Sequence, residues 1–187
     1  MIERFGLLLP AGHPARKPRA LERGEIRPTN LAPIITGDRE LTFLPWGFQV
    51  SWQNQPLINA RAETLAEKAT FRKSLEQRCL VPASAYFEWR KDGKLKIKTR
   101  IRTADAPLFA FAGLIDEGRF TIVTCAPAGP IAHIHDRMPV VLSREAETQW
   151  LDRGTSFEKA KGALVPFAGA LAWEEPKPER AQADLFS

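Results

Sequence analysis

The chain of 187 residues is poor in several features, and each scarcity excludes something. Only two cysteines are present, Cys79 and Cys125. They form no CxxC pair and lack metal-site spacing, so neither a disulfide scaffold nor a zinc ribbon fits. Both sit in apolar runs, Arg78-Cys79-Leu80-Val81 and Ile122-Val123-Thr124-Cys125. Buried, reduced thiols in a cytoplasmic protein are the expectation. Long apolar runs are also missing. Phe5 to Leu9 is stopped by Pro10, which is too short for a signal-peptide core or a membrane span. No internal repeat is visible, so a solenoid is not expected. The three histidines include His133 and His135 beside Asp136. Two alternating imidazoles and one carboxylate make a weak ligand set, so neither metal nor cofactor is expected.

What is abundant points to one compact β-rich domain. Hydrophobic residues make up 44%, and the length suffices for one full core. Fifteen prolines favour many short elements over long helices. Leu41–Trp52 reads as a strand interrupted at Pro45 and Gly47, and Thr64 is a candidate cap for a helix running to about Gln77. Cys79–Trp89, Leu95–Thr103, Pro107–Ile115 and Phe120–Cys125 are β-rich runs bounded by turn residues. Asp92-Gly93 is a hairpin signal. Pro139–Ser143 reads as a further strand, Ser143 as the cap of a helix ending near Gly154, and Thr155 with Glu158 as a capping box. The expected class is α+β, with a strongly bent, barrel-like, mainly antiparallel sheet and a few peripheral helices. One domain over residues 1–172 is expected, with a polar, Pro-containing tail over 173–187.

The net charge is +5, which suits a polyanionic partner or simply a basic surface. Its distribution is more telling. Residues 90–102 hold seven basic residues and one acidic one. In a strand, Lys94, Lys96, Lys98, Arg100 and Arg102 share one face while Leu95, Ile97 and Ile101 share the other. Same-face neighbours lie about 6.5–7 Å apart, an interval that suits successive phosphates of an extended single strand. The alternative is an exposed strand guarded against edge pairing by its lysines. Trp46, Trp52 and Trp89 lie near Pro or Gly, where rings can be presented for base stacking. Core packing is the alternative for each of them, and it is the better reading for Trp150.

Several stretches occur in a telling order: Arg4-Phe5, Arg27-Pro28-Thr29-Asn30-Leu31-Ala32-Pro33, Pro45-Trp46-Gly47 and Leu57-Ile58-Asn59-Ala60-Arg61-Ala62-Glu63-Thr64. Arg78-Cys79-Leu80-Val81-Pro82-Ala83, Tyr86-Phe87-Glu88-Trp89 and Ile134-His135-Asp136-Arg137-Met138-Pro139 follow. Together they resemble the SOS response-associated peptidase family from the N-terminus to about Leu151. The resemblance implies a cytoplasmic, nucleoid-associated protein that binds single-stranded DNA at abasic sites, with no membrane role. It implies that Asn59, Glu88 and His135 are catalytic, that Arg4, Arg61 and Arg137 grip the DNA backbone, and that Trp46 lies near the DNA. The chemistry suits these types. An abasic sugar opens to its aldehyde by proton transfer, which a carboxyl of raised pKa beside Trp89 and an imidazole can share. An amide oxygen such as that of Asn59 can orient an amine. Each has a plainer reading: Glu88 as a strand carboxylate, and Asn59 as a cap or turn residue. Ser84 and Ser143 lack a nucleophile motif.

The chain departs from the family pattern at its start. Ile2 and Glu3 stand where the family has Cys and Gly. In the family, that cysteine's amine and thiol capture the abasic aldehyde, giving a stable DNA–protein crosslink, and a peptidase activity is ascribed to the same apparatus. Ile2 is bulky, so retention of Met1 is expected. The Met1 amine can still form a Schiff base, but it cannot close a thiazolidine ring. Two classes follow: a crosslinking enzyme with weakened chemistry, and a non-catalytic single-strand-binding module. At the other end, Gln182-Ala183-Asp184-Leu185-Phe186 resembles the pentapeptide with which bacterial repair proteins dock on the sliding clamp. Leu185 and Phe186 would be apolar anchors and Gln182 a rim contact, or they pack on their own domain. A monomer is expected.

Overall fold

The computed structural model describes residues 2–5 and 24–176. Met1, residues 6–23 and the end with Gln182, Leu185 and Phe186 lie outside the described residues. The fold is α+β, mostly sheet. The strands are β1 (Leu31–Thr36), β2 (Leu41–Pro45), β3 (Phe48–Val50), β4 (Gln53–Leu57), β5 (Asn59–Arg61), β6 (Arg78–Ala83) and β7 (Tyr86–Asp92). Then follow β8 (Leu95–Thr103), β9 (Phe109–Asp116), β10 (Arg119–Cys125), β11 (Met138–Pro139), β12 (Val141–Leu142) and β13 (Leu171–Glu174). The helices are short: α1 (Ile2–Phe5), α2 (Ala69–Arg72), α3 (Arg144–Leu151) and α4 (Phe157–Ala160).

The main sheet runs β11-β10-β9-β6-β1-β2, with β12 on β9 and β5 on β10. It is strongly curved but open. Trp46, just past β2, returns to form a single parallel bridge with Phe120 of β10. All main-sheet ladders are antiparallel except β5 on β10, which is parallel. Its centre is β9, whose first six residues are all buried. Such a strand has both faces covered, so its sequence lacks a polar alternation. Gly113 meets a tight requirement there: a Cβ would come 2.8 Å from the Cys79 sulfur on the paired strand. Both cysteines are buried and free, as expected.

Trp150 of α3 is fully buried, and its indole N–H donates to the Cys79 carbonyl at 3.1 Å. Arg78 locks the same region. Its guanidinium donates to the carbonyls of Trp150 (2.7 Å), Asp152 (2.8 Å) and Thr155 (2.5 Å) and to Glu76 Oε2 (2.7 Å). The Trp150 carbonyl is one that the end of α3 leaves without an intrahelical donor, and Asp152 and Thr155 lie in the turn that follows.

A second sheet, β13-β8-β7, is built on the Asp92-Gly93 hairpin, and Gly93 has φ +58 as such a turn requires. Three expectations change. Cys79–Trp89 is two strands, because the chain turns between Ala83 and Tyr86 and moves from the main sheet to the second. The helix expected from Thr64 to Gln77 is a 3-10 turn at Ala62–Thr64, then α2, with extended Lys68 (ψ 118) breaking the run. Leu65 and Phe71 still face inward. The cap expected at Thr155 is displaced to Ser156, because the Thr155 hydroxyl donates to Asp152 and Glu76 receives the Phe157 N–H. Ser143 does cap α3, accepting from the Ala146 N–H at 3.2 Å. Strand β13 pairs with β8 from Leu171 to Glu174. Among the described residues no helix is long and apolar enough to cross a membrane.

Candidate functional site

Strand β7 alternates sharply. Tyr86 is buried, Glu88 is half-buried, and Phe87 and Trp89 are exposed. Glu88 therefore faces inward, and it meets His135 from the segment before β11. The His135 Nε2 to Glu88 Oε2 distance is 3.8 Å. Burial raises the Glu88 pKa above the ordinary carboxylate value. His135 opposes that rise and Asp136 adds to it. The burial does not come from Trp89, whose ring is on the opposite face of the strand. It comes from the inner side, where Tyr86 lies in line with Glu88.

His135 Nδ1 has partners of both kinds. The Arg137 backbone N–H donates to it at 3.1 Å. The Asp136 carboxylate (3.1 Å) and the Arg137 carbonyl (3.2 Å) stand ready to accept from it. Nδ1 thus has one donor and two acceptors within hydrogen-bonding distance.

Arg137 continues the cluster. It donates to both Glu63 oxygens at 2.8 Å and to the Thr124 carbonyl at 2.7 Å. Its guanidinium holds the Glu63 carboxyl below the usual range. The Arg137 Nε is buried with no partner, as is the Tyr86 hydroxyl. Thr124 is opposite Arg61 in the β10–β5 pairing. Strand β5 turns Ala60 into the core and leaves Asn59 and Arg61 exposed on one side. Glu88, His135, Arg137, Glu63 and Arg61 form a linked series, and Asn59 lies two residues before Arg61 on the same face. Among the described residues, Asn59 makes no hydrogen bond to Glu88 or His135.

Other expected site residues lie elsewhere. Arg4 is turned onto α3, bonded to both oxygens of Glu147 at 2.8 and 2.9 Å. Trp46 stacks on Phe120 with centroids 6.4 Å apart and donates to the Ile58 carbonyl at 2.8 Å. Lys96, Lys98, Arg100 and Arg102 share the outer face of β8 with Trp89, while Thr99, Ile101 and Thr103 point inward. The basic stripe and the Glu88–His135 pair are therefore on opposite faces of one hairpin. Lys94 lies in its turn. His133 stacks edge-on with Trp173, centroids 5.4 Å apart. Glu63 was missed from sequence, although it stands two residues after Arg61.

Comparison with known proteins fits this geometry. The family model for the SOS response associated peptidase (SRAP) matches residues 4–178. The chain belongs to the SRAP family. Among its relatives, the protein named abasic site processing protein YoqW of Bacillus subtilis is 39% identical over 173 residues, covering 79% of this chain and 77% of the relative. The Escherichia coli protein named abasic site processing protein YedK is 35% identical over 174 residues, covering 83% and 78%. A crystal structure of a Bacteroides thetaiotaomicron protein superposes with a TM-score of 0.71 at 30% identity, covering 80% of this chain and 75% of that one. The SRAP match spans every residue of the Glu88–His135 cluster.

Proposed function

We propose that this SRAP protein binds single-stranded DNA at abasic sites, acting as a monomer in the nucleoid, and that Ile2 in place of cysteine weakens its covalent step. The observation that carries the reading is the Glu88–His135 pair with Arg137 beside it. Partial burial raises the Glu88 pKa and so favours the protonated carboxyl, the form a general acid needs. In sugar opening, the C1 hydroxyl loses its proton, C1=O forms, and the bond from C1 to the ring oxygen breaks. The ring oxygen takes up a proton. Glu88 supplies one proton and His135 accepts the other. Arg137 and Arg61 offer cations to the flanking phosphates, and Asn59 offers an amide oxygen to an attacking amine. That amine adds to the aldehyde and loses water, giving a Schiff base. Without an adjacent thiol the adduct stays hydrolysable. Peptidase chemistry and a role in the SOS response enter this reading through family membership, at the same residues.

The test is a gel assay on abasic single-stranded DNA. The unaltered protein should give an adduct only when borohydride traps it, and Ile2→Cys with Glu3→Gly should give a heat-stable one. A heat-stable adduct from the unaltered chain would overturn the reading of position 2. Absence of any trapped adduct, with binding retained, would favour the non-catalytic module. We also read Gln182, Leu185 and Phe186 as a sliding-clamp docking peptide, because they match its spacing. Clamp binding should be lost with Leu185→Ala/Phe186→Ala, and equal binding by both chains would end the idea.

A further inference from the structure

We propose that the outer face of the β7–β8 hairpin is a second binding track for undamaged single-stranded DNA, separate from the Glu88–His135 centre. The inference rests on the reading of single-stranded DNA as the partner, and adds a place and a control to it. Register builds the track. Phe87 is opposite Arg100, Trp89 opposite Lys98, and Lys91 opposite Lys96. Two rungs therefore set an aromatic ring beside a cation, and the third sets two cations side by side. Like charges directly opposite each other cost stability, and an anion laid between them relieves that cost. Among the described residues, Phe87 is 37% exposed and Trp89 52%, high for large rings. The Lys98 ammonium lies over the Phe87 ring, 4.3 Å from its centroid, a cation–π contact that sets a charge directly against one aromatic face of the track. Alternate rungs are about 6.5–7 Å apart along the strand, a step that an extended strand can follow with a base on each ring and a phosphate on each cation.

The carboxylates already on this face mark where phosphates would go. Glu174 of β13 reaches Arg100 and Arg102, at 3.5 Å each, and is itself 59% exposed. Glu25 pairs with Lys98. The two Glu174 pairs are long and exposed, and such pairs are weak and readily exchanged. Glu174 thus acts as a built-in competitor that a DNA backbone displaces.

The experiment measures binding of the full chain to an undamaged oligonucleotide of about 30 nucleotides, long enough for several site sizes, across a salt series. Trp89→Ala should weaken binding roughly tenfold, the order seen when a stacked base loses its ring. Lys96→Gln with Arg100→Gln should flatten the slope of log affinity against log salt by about 1.4, two phosphate contacts' worth. Glu174→Gln should tighten binding several-fold, a gain that misfolding cannot imitate. Unchanged affinity in Trp89→Ala and no gain in Glu174→Gln would overturn the second track. Because the oligonucleotide has no lesion, that failure leaves the abasic-site assay untouched. Loss of adduct with an intact outer track would instead strike the reading of Glu88 and His135.

Discussion

Two arginines, Arg78 and Arg137, show how the same side chain is held differently inside the fold and at the proposed site. Arg78 is 4% exposed and spends its guanidinium on main-chain carbonyls of three residues around the end of α3, with Glu76 alongside. Arg137 also has a bidentate carboxylate and a carbonyl, but its Nε is buried and unpaired, and its partner Glu63 is half exposed. In the first knot every guanidinium nitrogen is engaged, mainly on main-chain carbonyls, and only the Glu76 carboxylate reaches water. The second retains an unused donor and a partner that water already reaches. A phosphate can replace Glu63, whereas nothing outside the fold can replace the carbonyls around Arg78.

The largest expected effect breaks the saturated knot. Arg78→Ala should lower stability by about 3–5 kcal/mol, because it removes the donors from buried carbonyls and leaves Glu76 without its cation. Urea denaturation followed by tryptophan fluorescence reads this directly. A loss under about 1 kcal/mol would mean that water replaces the guanidinium and that the knot is not structural.

Arg137→Ala sharpens the contrast from the other side. An ion pair with a half-exposed partner contributes only about 0–1 kcal/mol, so the fold should tolerate the change. Affinity for abasic single-stranded DNA should fall about tenfold, and the salt slope should flatten by about 0.7, one phosphate contact on a single strand. A stability loss equal to that of Arg78→Ala would erase the distinction between the two arginines.

Much of this contrast was legible in the sequence, and the rest depended on register. The ordered motifs named the family, and period-two alternation put the lysines of β8 on one face. The same alternation already separates Glu88 from Trp89, neighbours on one strand. Which of those faces the basic stripe shares follows only from the β7–β8 pairing, which aligns Trp89 with Lys98 and Glu88 with Thr99. Glu63 escaped notice because a carboxylate's worth as a clamp depends on an arginine 74 positions later. The long helix expected after Thr64 is broken at Lys68, whose extended backbone separates the 3-10 turn from α2, while Leu65 and Phe71 on either side of the break are both buried.

The smallest effect concerns Glu88, and its sign distinguishes a site residue from a structural one. Burial raises the Glu88 pKa in the folded chain, so folding favours the protonated carboxyl. Below the unfolded carboxylate pKa both states are protonated, and Glu88 costs nothing. As pH rises through the folded pKa the folded state must ionise a half-buried group, and stability is lost relative to a neutral side chain. Glu88→Gln should therefore be slightly more stable than the unaltered protein at neutral pH, with the gap closing in acid. Thermal melts of both chains at pH 4 and pH 8 read the difference. A structural carboxylate such as Glu76, whose pKa is lowered by the Phe157 N–H and Arg78, should show the opposite. Its stabilisation is present at neutral pH and lost as pH falls, so Glu76→Gln should be the less stable chain at pH 8. If Glu88→Gln also destabilises at pH 8, Glu88 is held by favourable partners like Glu76, and its place as a proton donor at the centre fails.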